Sequence, residues 1–158
     1  MRSVPALSFL VFALLLAAAP AGATVIAPAE LGDVVSGSHV IVHGRVVEVR
    51  SMTTPDRRSI FSLVTLRVDE ALKGRPGRTV TFRVPNGQVG RYRRIVVGAP
   101  EFAMGDEVVV FLQGQAPQVP TLFGLSQGVY RVSRQTASRR LAADTFLRRV
   151  RAMAERSR

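Results

Sequence analysis

Cysteine and tryptophan are absent from this chain of 158 residues, lysine occurs once, at Lys73, and histidine only twice, at His39 and His43. The lack of cysteine excludes disulfides, a thiol nucleophile, thiolate metal ligands and a lipidated cysteine behind a leader. Acidic side chains are also sparse, 11 Asp+Glu against 22 Lys+Arg, so there is little material for carboxylate metal cages. Aromatic residues make up 6 %, few for stacking the bases of a nucleic acid strand. No apolar run beyond residue 23 is long enough to cross a bilayer, which takes about 20 residues.

The one strongly apolar stretch lies at the start. Arg2 precedes an apolar run from Leu7 to Ala19, Pro20 breaks it, and Ala21-Gly22-Ala23 forms a small-x-small cleavage site. That order predicts a secretory signal peptide over residues 1–23, recognised by Ala21 and Ala23 and removed to leave Thr24 first. The competing reading is an uncleaved anchor, for which the run is short. Removing residues 1–23 from 158 leaves 135, enough to bury roughly two-thirds of the unfolded surface without covalent staples. The expected location is the periplasm or the cell exterior, with no membrane span in the mature chain.

The net charge is +11 and is carried almost wholly by arginine. A basic surface attracts anionic surfaces, acidic glycans or nucleic acid. An arginine-rich, lysine-poor chain is also what a GC-rich genome writes by default, and export argues against a nucleic-acid partner.

Along the chain, residues 27–38 read as a short helix, with Pro28 early and Leu31, Val34 and Val35 at helical spacing. β-Branched residues predict a long strand over 38–52, with Gly44 marking a bulge or sharp bend. Further strands are expected over 59–72, with Ile60, Val64, Leu66 and Val68 on one face, and over 79–84, with Val80, Phe82 and Val84 inward. A basic strand follows over 91–97, then Phe102 and Met104 covering the core edge, a buried strand over 107–112, and one or two strands over 121–133 bent at Gly124 and Gly128. Short strands punctuated by turns, with a glycine-coiled first strand that can pair on two sides, predict an all-β fold: a small OB-like closed barrel of five to six strands over 24–136. A C-terminal amphipathic helix over 137–158 is expected, with Leu141, Phe146, Leu147, Val150 and Met153 as its apolar stripe. That stripe either docks on the barrel or lies on an anionic membrane.

Three segments carry a likeness to a known family. They are Ser38-His39-Val40-Ile41-Val42-His43-Gly44-Arg45-Val46, then Val68-Asp69-Glu70-Ala71-Leu72-Lys73-Gly74, then the run from Phe102 through Gly105-Asp106-Glu107 to Leu112. In this order they resemble the netrin/TIMP-like variant of the OB-fold, as found in uncharacterised exported bacterial proteins. The resemblance covers about residues 28–133. It implies a non-enzymatic binding module, and, from animal members of the family, inhibition of a metalloprotease through the processed amino terminus. Here that terminus would be Thr24, without the family's cysteine and disulfides.

The remaining chemistry is meagre. His39 and His43 lie four residues apart in a strand pattern, about 13 Å, too far to share one ion, and are expected at the surface or rim. Asp69-Glu70 and Asp106-Glu107 are neighbours that face opposite sides of an extended chain, so they suit turn-flanking solubility better than an acid–base pair. Ser36 and Ser38 lack a nucleophile elbow, and Asn86-Gly87-Gln88-Val89-Gly90-Arg91 lacks the helix and Gly-Lys-Ser/Thr of a phosphate loop and reads as a hairpin loop. No catalytic residue, metal ligand or cofactor is assigned. The expected function is an exported binding module for a protein partner. The alternatives are a polyanion or envelope-surface binder through Arg91, Arg93, Arg94, Arg139, Arg140, Arg148 and Arg149, and a protease inhibitor acting through Thr24.

Overall fold

A computed structural model describes residues 29–114, 117–132 and 137–157. The expected leader with Ala21 and Ala23, the expected processed terminus Thr24, and Pro28 lie outside the described residues. The elements are α1 (Leu31–Ser36), β1 (Val40–Thr53), β2 (Ile60–Lys73), β3 (Thr79–Val84), β4 (Gly87–Val89), β5 (Tyr92–Arg94), β6 (Glu107–Gln113), β7 (Thr121–Leu122), a 3-10 turn (Leu125–Gly128), β8 (Val129–Arg131) and α2 (Ala137–Arg156).

The main sheet closes on itself in the order β1-β2-β3-β7-β6, returning to β1, and β8 lies outside that ring on β6. The expected all-β barrel with flanking helices is therefore present. Closure rests on β1, whose first half pairs with β2 (Ile41 opposite Lys73 to Val46 opposite Leu66) and also with β6 (Val40 opposite Leu112 to Arg45 opposite Glu107). One strand serves both neighbours because it coils through register shifts at 41/42, 43/44 and 46/48. Gly44 stands at the centre of this coil. A Cβ there would lie 2.2 Å from the Arg67 carbonyl oxygen, so the two backbones approach as only glycine allows.

The alternation of the strands builds two cores. Val42, Val46, Val64, Leu66, Phe82, Val84, Val108, Val110, Leu112 and Leu122 fill the barrel. Ile41, Leu72, Val109 and Phe111 point outward from the same strands and are covered by Val34 and Val35 of α1 and by Ala143, Leu147, Val150 and Ala154 of α2. Strand β6 is thus apolar on both faces, which explains its unbroken Val-Val-Val-Phe-Leu run.

Helix α2 docks on the barrel, with Tyr130 and Phe146 stacked at 3.9 Å. Its apolar stripe differs from the expected one at one end: Leu141 is 65 % exposed, and the small residues Ala143 and Ala154 occupy buried positions beside Leu147 and Val150. Positions 143, 147, 150 and 154 follow the helical repeat, and alanine lets the helix approach the sheet closely. Lys73 ties the helices together by donating to the Val35 and Ser36 carbonyls at the end of α1 and to Ser157 Oγ beyond α2. Burial holds its ammonium pKa below the ordinary 10.5.

Candidate binding face at the hairpin

The strand expected over 91–97 is replaced by a separate two-stranded hairpin, β4–β5, with Gly87 opposite Arg94 and Val89 opposite Tyr92. Residues 95–97 leave the strand, with Ile95 71 % and Val97 93 % exposed. The hairpin is seated by two serines that project from the far ends of β1 and β2 toward the barrel axis. Ser51 Oγ and Ser62 Oγ stand 3.1 Å apart, Gln88 N–H donates to Ser51 Oγ at 3.1 Å, and Ser62 Oγ donates to the Asn86 carbonyl at 2.7 Å. A Cβ at Gly87 would sit 2.7 Å from Ser62 Oγ and 2.8 Å from Ser51 Oγ, so a side chain there would displace the serine hydroxyls that seat β4. Asn86 Nδ2 donates to the Pro100 carbonyl and holds the return loop. Seats of this kind are hydrogen-bonded because a buried hydroxyl left unpaired is costly.

On its outer side the hairpin forms a cleft of about 600 Å³ against the β1–β2 loop, lined by Arg57, Arg58, Ser59, Ile60, Val89, Tyr92, Arg93, Arg94 and Ile95 with Thr53. A second cleft of about 350 Å³ lies under the hairpin, between Val49, Val64, Ala99 and Phe102 and the polar rim of Gln88, Arg93 and Glu101. Both fall in the size range of ligand and peptide-side-chain pockets.

The outer cleft is strongly cationic. Arg93 is offset by Glu101 at 2.8 Å. Among the described residues, Arg57, Arg58 and Arg94 make no side-chain hydrogen bond or ion pair. Asp56, in the same loop as Arg57 and Arg58, is turned into that loop. Thr54 Oγ1 and the Arg58 N–H donate to it and lower its pKa below the ordinary 3.8. Arg57 holds a left-handed backbone (φ 56), an unusual conformation for a residue with a Cβ. Ser59 Oγ is buried and has no hydrogen-bond partner. Tyr92, 62 % exposed, and Ile95 place apolar surface directly among these charges.

The arginines singled out from the sequence divide into two groups. Arg93 and Arg94 line the cleft, whereas Arg91 folds over the Tyr92 ring at 5.1 Å and donates to its hydroxyl. Arg139, Arg140, Arg148 and Arg149 are exposed on α2, with Arg148 donating to Thr145 Oγ1. The two groups are not joined. The hairpin seat is at Ser62, while α2 is anchored through Arg151 to Glu70, eight residues further along β2, on the order of 26 Å. Arg57 and Arg58 were not among the expected site residues. Their signal was their place beside Pro55-Asp56 in the loop that faces the hairpin.

The remaining candidates take structural roles. His43 is not at the rim: it is 6 % exposed on the outer face of β1, with Nε2 2.9 Å from Glu107 Oε1. His39 Nδ1 accepts from the Gly114 N–H. The four carboxylates do more than flank turns. Glu107 also meets Arg45, Asp69 meets Arg67, Glu70 meets Arg151, and Asp106 accepts from the Ala103 N–H and from Arg131. Met104, expected over the core edge, is 75 % exposed, while Phe102 packs edge-on to Phe82 at 5.4 Å. Ser38 Oγ donates to the Val34 carbonyl at the end of α1. A scan against protein-family models finds no match, and a comparison with curated proteins finds none either.

Proposed function

We propose that this chain is a non-enzymatic binding module acting outside the cytoplasm, and that its site is the outer cleft of the β4–β5 hairpin. Its ligand is a protein partner, bound through a segment that sets acidic side chains beside an apolar one. The observation that carries this reading is the mixture in the cleft: exposed Tyr92 and Ile95 among Arg57, Arg58 and Arg94. Tyrosine and arginine are the residue types enriched where protein interfaces concentrate their energy. Residues 1–23 support the location. The three family-like segments support kinship with netrin/TIMP-like modules, since they fall on the join of α1 to β1, the end of β2 and the entry to β6, where the barrel closes.

The test uses immobilised peptides in which Asp or Glu flanks Leu or Phe. The chain should bind them, Arg94→Glu should weaken binding about tenfold or more, and Tyr92→Ala should weaken it at constant charge. A chain held only by heparin, indifferent to Tyr92→Ala and released steeply by salt, would show that a polyanion is the ligand and the protein-partner reading is wrong.

A further inference from the structure

Beyond residue 46 the barrel seam opens. The Val46 N–H donates to the Asp106 carbonyl, the Gly105 N–H donates to the Val46 carbonyl, and past this point the chain that enters β6 makes no further pairing with β1. Residues 48–53 continue to pair with β2 on one side, with Val47 bulged out of the register. Among the described residues, no strand pairs with their other side. The hairpin does not cover it, because β4 rests on the inward-facing Ser51 and Ser62. Val47 is 40 %, Val49 37 % and Met52 41 % exposed, and the Glu48 and Arg50 side chains are more open still. Such an edge presents a row of backbone donors and acceptors to another strand.

Its side chains specify which strand. Glu48 and Arg50 stand on the same face, 2.6 Å apart, with Val49 between them. If two copies of this edge run antiparallel about Val49, Glu48 of each lies opposite Arg50 of the other, and Val49 meets Val49. Centring the pair on residue 48 or 50 would instead oppose two glutamates or two arginines. Opposite charges across an antiparallel pair stabilise it and like charges destabilise it. We propose that the edge formed by residues 48–53 of β1 is a self-association surface, through which two copies join antiparallel into one continuous sheet centred on Val49. A two-fold axis makes the contact isologous and closed. This inference does not rest on ligand binding at the hairpin, although Thr53 and Val49 of the edge also line the two clefts there.

Sedimentation of the chain, purified as its expressing host processes it, tests this directly. The wild type should show a concentration-dependent dimer. Glu48→Arg and Arg50→Glu should each raise the dimer dissociation constant about tenfold or more, with unchanged melting. Mixing the two variants should restore the dimer, because every cross-strand pair in the mixed species is again opposite in charge. The double variant E48R/R50E should also dimerise. A wild type that stays monomeric at millimolar concentration, single variants that dimerise as the wild type does, or a mixture that fails to associate would each overturn the proposal.

Discussion

Asp106 is held by both a backbone and a side-chain donor. Burial would raise its pKa, but the Ala103 N–H and the Arg131 guanidinium at 2.6 Å outweigh that and hold the carboxyl below the ordinary 3.8. A carboxyl lowered by folding contributes stability that is complete above its unfolded pKa and disappears as pH falls through the folded value. Asp106→Asn should therefore cost about 1 kcal/mol at pH 7, a modest figure because Arg131 is half exposed. Melting curves of the two proteins should converge as pH drops below about 4. An Asp-Glu pair is visible in the sequence. That its members face opposite sides follows from strand alternation, but Arg131 and His43 as their partners do not, since each lies across the fold from a distant segment.

At the scale of the element, α2 shows how periodicity is read and misread. Leu147, Val150, Phe146 and Met153 were legible because they recur at helical spacing, and all four pack against the outer core. Leu141 joins them by hydropathy, but at about 100° per residue it stands on the side of the helix opposite Val150 and is 65 % exposed. Leu147→Ala should cost about 2–4 kcal/mol by opening a cavity. Leu141→Ala should stay within about 0.5 kcal/mol, as exposed substitutions do. Chemical denaturation of the two variants separates these outcomes. The segment 91–97 was misread for a related reason. Its β-branched residues favour a strand locally, but only Tyr92–Arg94 finds a partner, in β4, and Ile95 and Val97 are left exposed. Strand propensity measures fit to a neighbour, and the neighbour is not written nearby.

Over the whole molecule, closure depends on β1 serving two strands at once, which in turn depends on the backbone contact at Gly44. Gly44→Val would drive a side chain into the Arg67 carbonyl and separate β1 from β2 at the point where β1 also holds β6. Its expected cost is about 3 kcal/mol, read as a lower thermal midpoint by circular dichroism, with loss of cooperativity if the ring opens. The strand count, the doubly buried β6 and the coiled first strand were all present in the one-dimensional pattern, because alternation and glycine placement are local consequences of backbone geometry. The binding face was present only in part. Arg93 and Arg94 stood out as charges, but Arg57 and Arg58 reach the same cleft from a loop more than thirty residues earlier, and Arg139, Arg140, Arg148 and Arg149 end up remote from it. Local sequence determined which segments would be strands or helices and which way each would face. Tertiary structure alone decided which charges would converge and which strand edge would stay open, because those depend on how β1 bends between β2 and β6, a sum of contacts between residues far apart in the chain.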